Sequence, residues 1–116
     1  MVTPTTRAVV LVSFPFSDLS QTKLRPAVVL AFAGRDDWIL GQVTSRAYGD
    51  EQAVTIDDGN FAEGSLRVIS YVRPGKLFTA NSSIIKSRVG ILDESAFSEV
   101  IEAVIKVFRS GASSES

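Results

Sequence analysis

A small, mainly β domain of the α+β kind, closed by one helix at its C-terminal end, is predicted by three observations. Apolar runs of strand length recur along the first ninety or so residues, each stopped by Gly, Pro, Asp or Asn. A stretch with apolar residues at helical spacing stands near the end of the chain. At 116 residues and 45% hydrophobic, the chain can bury one core without staples, and it contains no cysteine to make them.

Residues 8–14 and 26–33 are apolar on both alternating sets and rich in valine, the pattern of strands covered on both faces in a tightly curled sheet. Asp36-Asp37 predicts a turn. Residues 38–45 then read as a third strand, on which Trp38, Leu40, Gln42 and Thr44 share a face that passes from apolar to polar. Residues 53–56 make a short fourth strand closed by Asp57-Asp58-Gly59-Asn60, and residues 66–73 a fifth, after which Pro74-Gly75 is expected to turn the chain. Residues 76–79 and 89–92 are weaker extended segments flanking a single helical turn near 82–86. Asp93 can cap the helix, whose Phe97, Val100, Ile101, Val104, Ile105 and Phe108 fall on one face and pack on the barrel. Residues 1–6 and 109–116 are polar and unpatterned, and are expected as tails around a single domain over 7–108. Five or more short strands and one terminal helix make a small SH3-like β-barrel with a C-terminal helix. Strands apolar on both faces expose more apolar surface than one helix covers, so a two-fold homodimer is expected.

The chemistry is narrowed first by what is missing. Without histidine the chain lacks the commonest general acid/base and the commonest metal ligand, and without cysteine it has neither a thiolate metal site nor a disulfide. The pairs Asp36-Asp37 and Asp57-Asp58 sit in turn sequences, whereas a two-metal site needs carboxylates from separate elements, so no metal and no cofactor is expected. Net charge is -1, but it is unevenly spread. Residues 1–92 carry ten Lys/Arg against eight Asp/Glu, and residues 93–116 two against five, which leaves room for a local basic groove away from the helix. The apolar run at 8–12 is too short for a signal segment or a membrane span, so a cytoplasmic protein without membrane contact is expected.

The connection between the first two strands carries the densest signal: Phe14-Pro15-Phe16-Ser17-Asp18-Leu19-Ser20-Gln21-Thr22-Lys23-Leu24-Arg25, then Pro26. Proline holds Arg25 in extended backbone at the start of a strand, and a planar five-donor guanidinium so held can clamp a phosphate bidentately. Ser17, Asp18, Gln21 and Lys23 are ordinary for a solvated loop and equally able to contact base edges or phosphate oxygens. Phe16, if it lies in the loop, offers a π-face to an unpaired base. Thr44-Ser45-Arg46 ends the third strand with two hydroxyls and a cation, as a capped turn also would.

These segments, followed by Phe61-Ala62-Glu63-Gly64-Ser65-Leu66, Ser70-Tyr71-Val72-Arg73, Lys76-Leu77-Phe78-Thr79 and Arg88-Val89-Gly90-Ile91-Leu92, resemble in their order the MazF/PemK family of toxin endoribonucleases. The resemblance implies a homodimeric barrel that serves as the toxin of a type II toxin-antitoxin system. It implies metal-independent cleavage of single-stranded RNA, often messenger RNA, at short sequences, and inhibition by a cognate antitoxin. Arg25 matches the family's Arg-Pro arginine and Thr44 the hydroxyl that works beside it, so these two are the expected catalytic pair. Phe16, Ser17, Asp18, Gln21, Lys23, Ser45 and Arg46 are the expected RNA contacts. The expected reaction is attack by the substrate's own 2′-hydroxyl on the neighbouring phosphorus, with the general acid and base left open, because members that use a histidine have no counterpart here. The chain also has Arg7-Ala8 where members often have Gly-Asp, and Phe78-Thr79 where several have Arg-Thr. The rivals are a non-enzymatic barrel toxin that blocks a protein target such as gyrase, and a barrel that binds RNA without cutting it. The Arg-Pro arginine with the Thr-Ser pair favours the nuclease over both.

Overall fold

The computed structural model of the chain describes residues 4–15 and 22–111. Its strands are β1 (Ala8–Pro15), β2 (Thr22–Gly34), β3 (Asp37–Thr44), β4 (Val54–Ile56), β5 (Phe61–Gly64), β6 (Ser70–Asn81) and β7 (Ile85–Leu92), followed by the helix α1 (Glu94–Gly111). They form one antiparallel sheet in the order β4-β6-β3-β2-β1-β7-β5. The two outermost strands, β4 and β5, are consecutive in the chain. Asp57 and the 3-10 turn Asp58–Asn60 alone join them, so the sheet curls until its edges approach. That closure makes the SH3-like barrel with one C-terminal helix that the sequence predicts.

Valine density explains why the middle of this sheet is its most buried part. Along residues 8–12 of β1 and 27–30 of β2 both alternating sets are largely enclosed, and each face of the sheet builds its own core. On one face Val9, Val28, Leu30, Val43, Ile56, Val72 and Leu92 pack with Ala96 and Val100 of the helix. On the other Val10, Val12, Ala27, Val29, Leu40, Ala80 and Ile85 pack together, flanked by Trp38 and Phe78. Each such side chain contributes roughly 1.5–3 kcal/mol by leaving water. The β1–β2 ladder runs without a slip from Val9↔Val28 to Pro15↔Thr22.

The β2–β3 hairpin turns at Arg35 and Asp36, which take φ of 54° and 64°, the paired left-handed residues of a tight hairpin turn. Asp93 caps α1 as expected: its carboxylate accepts the Ala96 N–H at 2.7 Å. The apolar stripe packs over a shorter length than the sequence suggests. Ala96 and Val100 are buried, with Phe97, Ile101 and Val104 against the core, but Phe108 is 69% exposed. The helix also runs to Gly111, into the stretch read as a tail. At the other end Pro4 is buried and the Arg7 N–H donates to the Val29 carbonyl at 3.0 Å, so residues 4–6 lie against the barrel.

Two elements differ from the sequence reading. The strand placed at 66–73 begins at Ser70 and continues through Pro74-Gly75 to Asn81. Pro74 is tolerated because the register jumps from Gln42↔Arg73 to Gly41↔Leu77, a bulge in which residues 74–76 face no partner on β3 and a missing N–H loses no ladder bond. β5 was not expected at all. It lies so close to β7 that a Cβ on Gly64 would sit 2.2 Å from the Val89 carbonyl oxygen, and one on Gly90 2.7 Å from the Phe61 ring. Glycine at both positions permits that approach.

Candidate active site

Arg25 stands in β2 opposite Val12 of β1. On its other side the β2–β3 ladder ends at Ala27↔Gln42, two residues short of both Arg25 and Thr44. Both residues line a cleft of about 580 Å³ at this end of the barrel. Its lining combines the polar Arg25, Gln42, Thr44, Ser45 and Arg46 with Tyr48, Leu66 and Val68. Among the described residues that line it none is a carboxylate, and an anion entering it meets guanidinium and hydroxyl groups.

Within this wall the hydroxyl of Thr44 is oriented. Its Oγ1 accepts the backbone N–H of Arg46 at 3.2 Å, which directs the hydroxyl's own hydrogen elsewhere. The backbone of Thr44 is fixed from the far side by pairing with Tyr71 of β6. Ser70 is buried at the cleft's base and donates to the Val68 carbonyl at 3.1 Å. Beyond Arg46 the chain makes a tight loop in which Tyr48 and Gly49 are both left-handed, at φ 55° and 71°. For a tyrosine that conformation costs about 1–2 kcal/mol. Behind this loop the Arg73 Nε donates to Asp50 Oδ2 at 3.1 Å, and the guanidinium carbon lies over the Tyr48 ring, 5.5 Å from its centroid. The Gln52 N–H, reinforced by Arg73, holds the Asp50 carboxyl below its ordinary pKa.

Of the residues singled out from sequence, Arg25, Thr44, Ser45 and Arg46 come together in this cleft. Lys23 is exposed two residues before Arg25 and is not among the residues that line it. Phe16, Ser17, Asp18 and Gln21 lie outside the described residues. The sequence reading gave no site role to Gln42, Tyr48, Leu66, Val68 or Ser70. Gln42 had a signal, its shared face with Thr44. The other four reach the cleft from loops or across the β3–β6 ladder, which no local pattern reports.

The fold is that of MazF toxins. MazF (Form-I) from Deinococcus radiodurans matches with a TM-score of 0.73 at 22% identity, covering 94% of this chain and 99% of that one. MazE-MazF (Form-III) from the same organism gives 0.74 at 18%, covering 93% and 98%. An endoribonuclease in complex with its cognate antitoxin, from a mycobacterial species, gives 0.69 at 12%, covering 94% and 96%. No curated protein matches the sequence. Residues 6–108 match the family described as PemK-like, MazF-like toxin of type II toxin-antitoxin system, and the chain belongs to that family.

Proposed function

We propose that this toxin is a sequence-selective endoribonuclease that cuts single-stranded RNA, messenger RNA included, without a metal. The observation that carries the reading is the single cleft that Arg25 and Thr44 both line from adjacent strands. Cleavage by the substrate's own 2′-hydroxyl needs no enzyme nucleophile. The 2′-oxygen forms a bond to phosphorus as the bond to the 5′-oxygen breaks, one proton leaves the 2′-hydroxyl and one reaches the departing oxygen. The products are a 2′,3′-cyclic phosphate and a 5′-hydroxyl. What the protein supplies is alignment and stabilisation of the extra phosphoryl charge, for which Arg25 offers a bidentate fork and Thr44 a hydroxyl hydrogen. Ser45 and Arg46 are placed to hold flanking phosphates, with Lys23 outside the cleft as a further cation. The reading takes the cleavage as metal-independent because the sequence offers no His or Cys as a ligand.

The same reading gives the protein a two-fold partner copy and a cognate antitoxin whose acidic, apolar segment occupies the cleft in place of RNA. It places the protein in the cytoplasm, where messenger RNA is found. No helix among the described residues is long and apolar enough to cross a membrane. The test is to incubate the purified protein with a messenger RNA transcript in chelator and map the new ends. Discrete cuts ending in cyclic phosphate and 5′-hydroxyl are expected. Intact RNA from a preparation that still arrests growth when expressed would assign the toxin to a protein target.

A further inference from the structure

We propose that Tyr48 is a stacking platform for one unpaired base of the RNA, and that it selects the register in which the strand lies over Arg25 and Thr44. This rests on the endoribonuclease reading above. Tyr48 lines both the cleft that holds the catalytic pair and the neighbouring depression with Asp50, Arg73 and Lys76, so its ring stands on the divide between them. The side chain is 68% exposed. One face is occupied by the Arg73 guanidinium, and the exposure leaves the other face to solvent. An aromatic ring in that state can accept a base on its open face.

Three features separate this ring from an incidental surface tyrosine. Its backbone is left-handed, a conformation a tyrosine rarely occupies. Arg73 is itself anchored, by its ion pair to Asp50 and by its place in β6 opposite Gln42 of the cleft. A ring positioned in advance gives up less freedom when a base lands on it. Arg25 and Arg46 stand on the cleft side of the divide, whereas in the depression Asp50 and Glu51 balance Arg73 and Lys76, so a base on the ring leaves its cleft-side phosphate near positive charge. The half-exposed Val68 on the cleft wall adds an apolar contact for the base edge.

The experiment uses a short RNA containing a mapped cut site, with the 2′-oxygen removed at the cut so that it binds without reacting, and a series in which each base near the cut is deleted in turn. Tyr48→Ala should weaken binding roughly tenfold and Tyr48→Phe less than about twofold, with thermal melting unchanged in both. At one position, base deletion should weaken wild-type binding by about tenfold and add nothing in Tyr48→Ala. Deletion penalties that are the same in wild type and Tyr48→Ala at every position would overturn the proposal while leaving the nuclease intact. If the wild-type protein neither cuts nor binds RNA, the reading beneath the proposal falls with it.

Discussion

Thr44→Val isolates one hydroxyl. The substitution keeps β-branching, so the strand loses no preference for extended backbone, and pairing with Tyr71 holds the main chain in place. Two hydrogen bonds are at stake. The first is structural: Oγ1 accepts the Arg46 N–H at 3.2 Å, but Arg46 is exposed, and its N–H turns to water when the oxygen is gone. That loss is on the order of 0.5 kcal/mol of stability. The second is the one the proposed mechanism gives to the phosphoryl group, a donor that would gain strength as charge develops there. Losing a preorganised donor of this kind costs about 3 kcal/mol of transition-state stabilisation, roughly a hundredfold in rate. The variant is therefore expected to melt like wild type and cut about a hundred times more slowly, whereas Thr44→Ser keeps most of the rate. Single-turnover cutting of a mapped site with saturating enzyme in chelator reads this directly. A Thr44→Val rate equal to wild type would refute the role argued for the hydroxyl.

Arg25→Lys keeps the charge but not the planar fork, and should lose about a hundredfold or more in the same assay with little change in melting; retention of the full rate would show that point charge suffices. Asp50→Asn probes pH dependence. A carboxylate whose folded pKa is depressed contributes stability above its unfolded value, and that contribution disappears as the pH falls through the folded value. Urea melts should show the variant weaker by about 0.5–1 kcal/mol at neutral pH and equal to wild type in strong acid, and a constant difference across pH would contradict the ion pair with Arg73. Gly90→Ala would place a Cβ 2.6 Å from the Glu63 carbonyl oxygen, so β5 must shift, at a loss of about 1–3 kcal/mol; an unmoved urea midpoint would argue against that close pairing.

The legible parts of this fold are those whose signal is local. Valine on both faces marked β1 and β2, and the Asp93 cap with its following stripe marked α1. Arg25 and Thr44 were paired through the family resemblance of the Arg-Pro and Thr-Ser segments, not through any local pattern. Pro74-Gly75 misled because turn residues were being used inside a strand, where a bulge removes the need for an N–H. The helical stripe overstated packing because periodicity shows which way residues face and not how far the barrel extends beneath them. Tyr48, Val68 and Ser70 join the site only through the β3–β6 pairing and the loops around it, an arrangement fixed by tertiary contact.

The unbroken ladder from Val9↔Val28 to Pro15↔Thr22 bears on how such a toxin can diversify. Residues 16–21 join β1 to β2 in the sequence, and Arg25 follows within β2. Doubling the length of a connection of this kind costs only about 0.6 kcal/mol in closure entropy. On the nuclease reading, insertions and exchanges there can alter what RNA is preferred without moving the proposed phosphate clamp. On that reading, cleavage chemistry and target choice sit on separately mutable pieces of chain, and a lineage can change its targets by rewriting one connection.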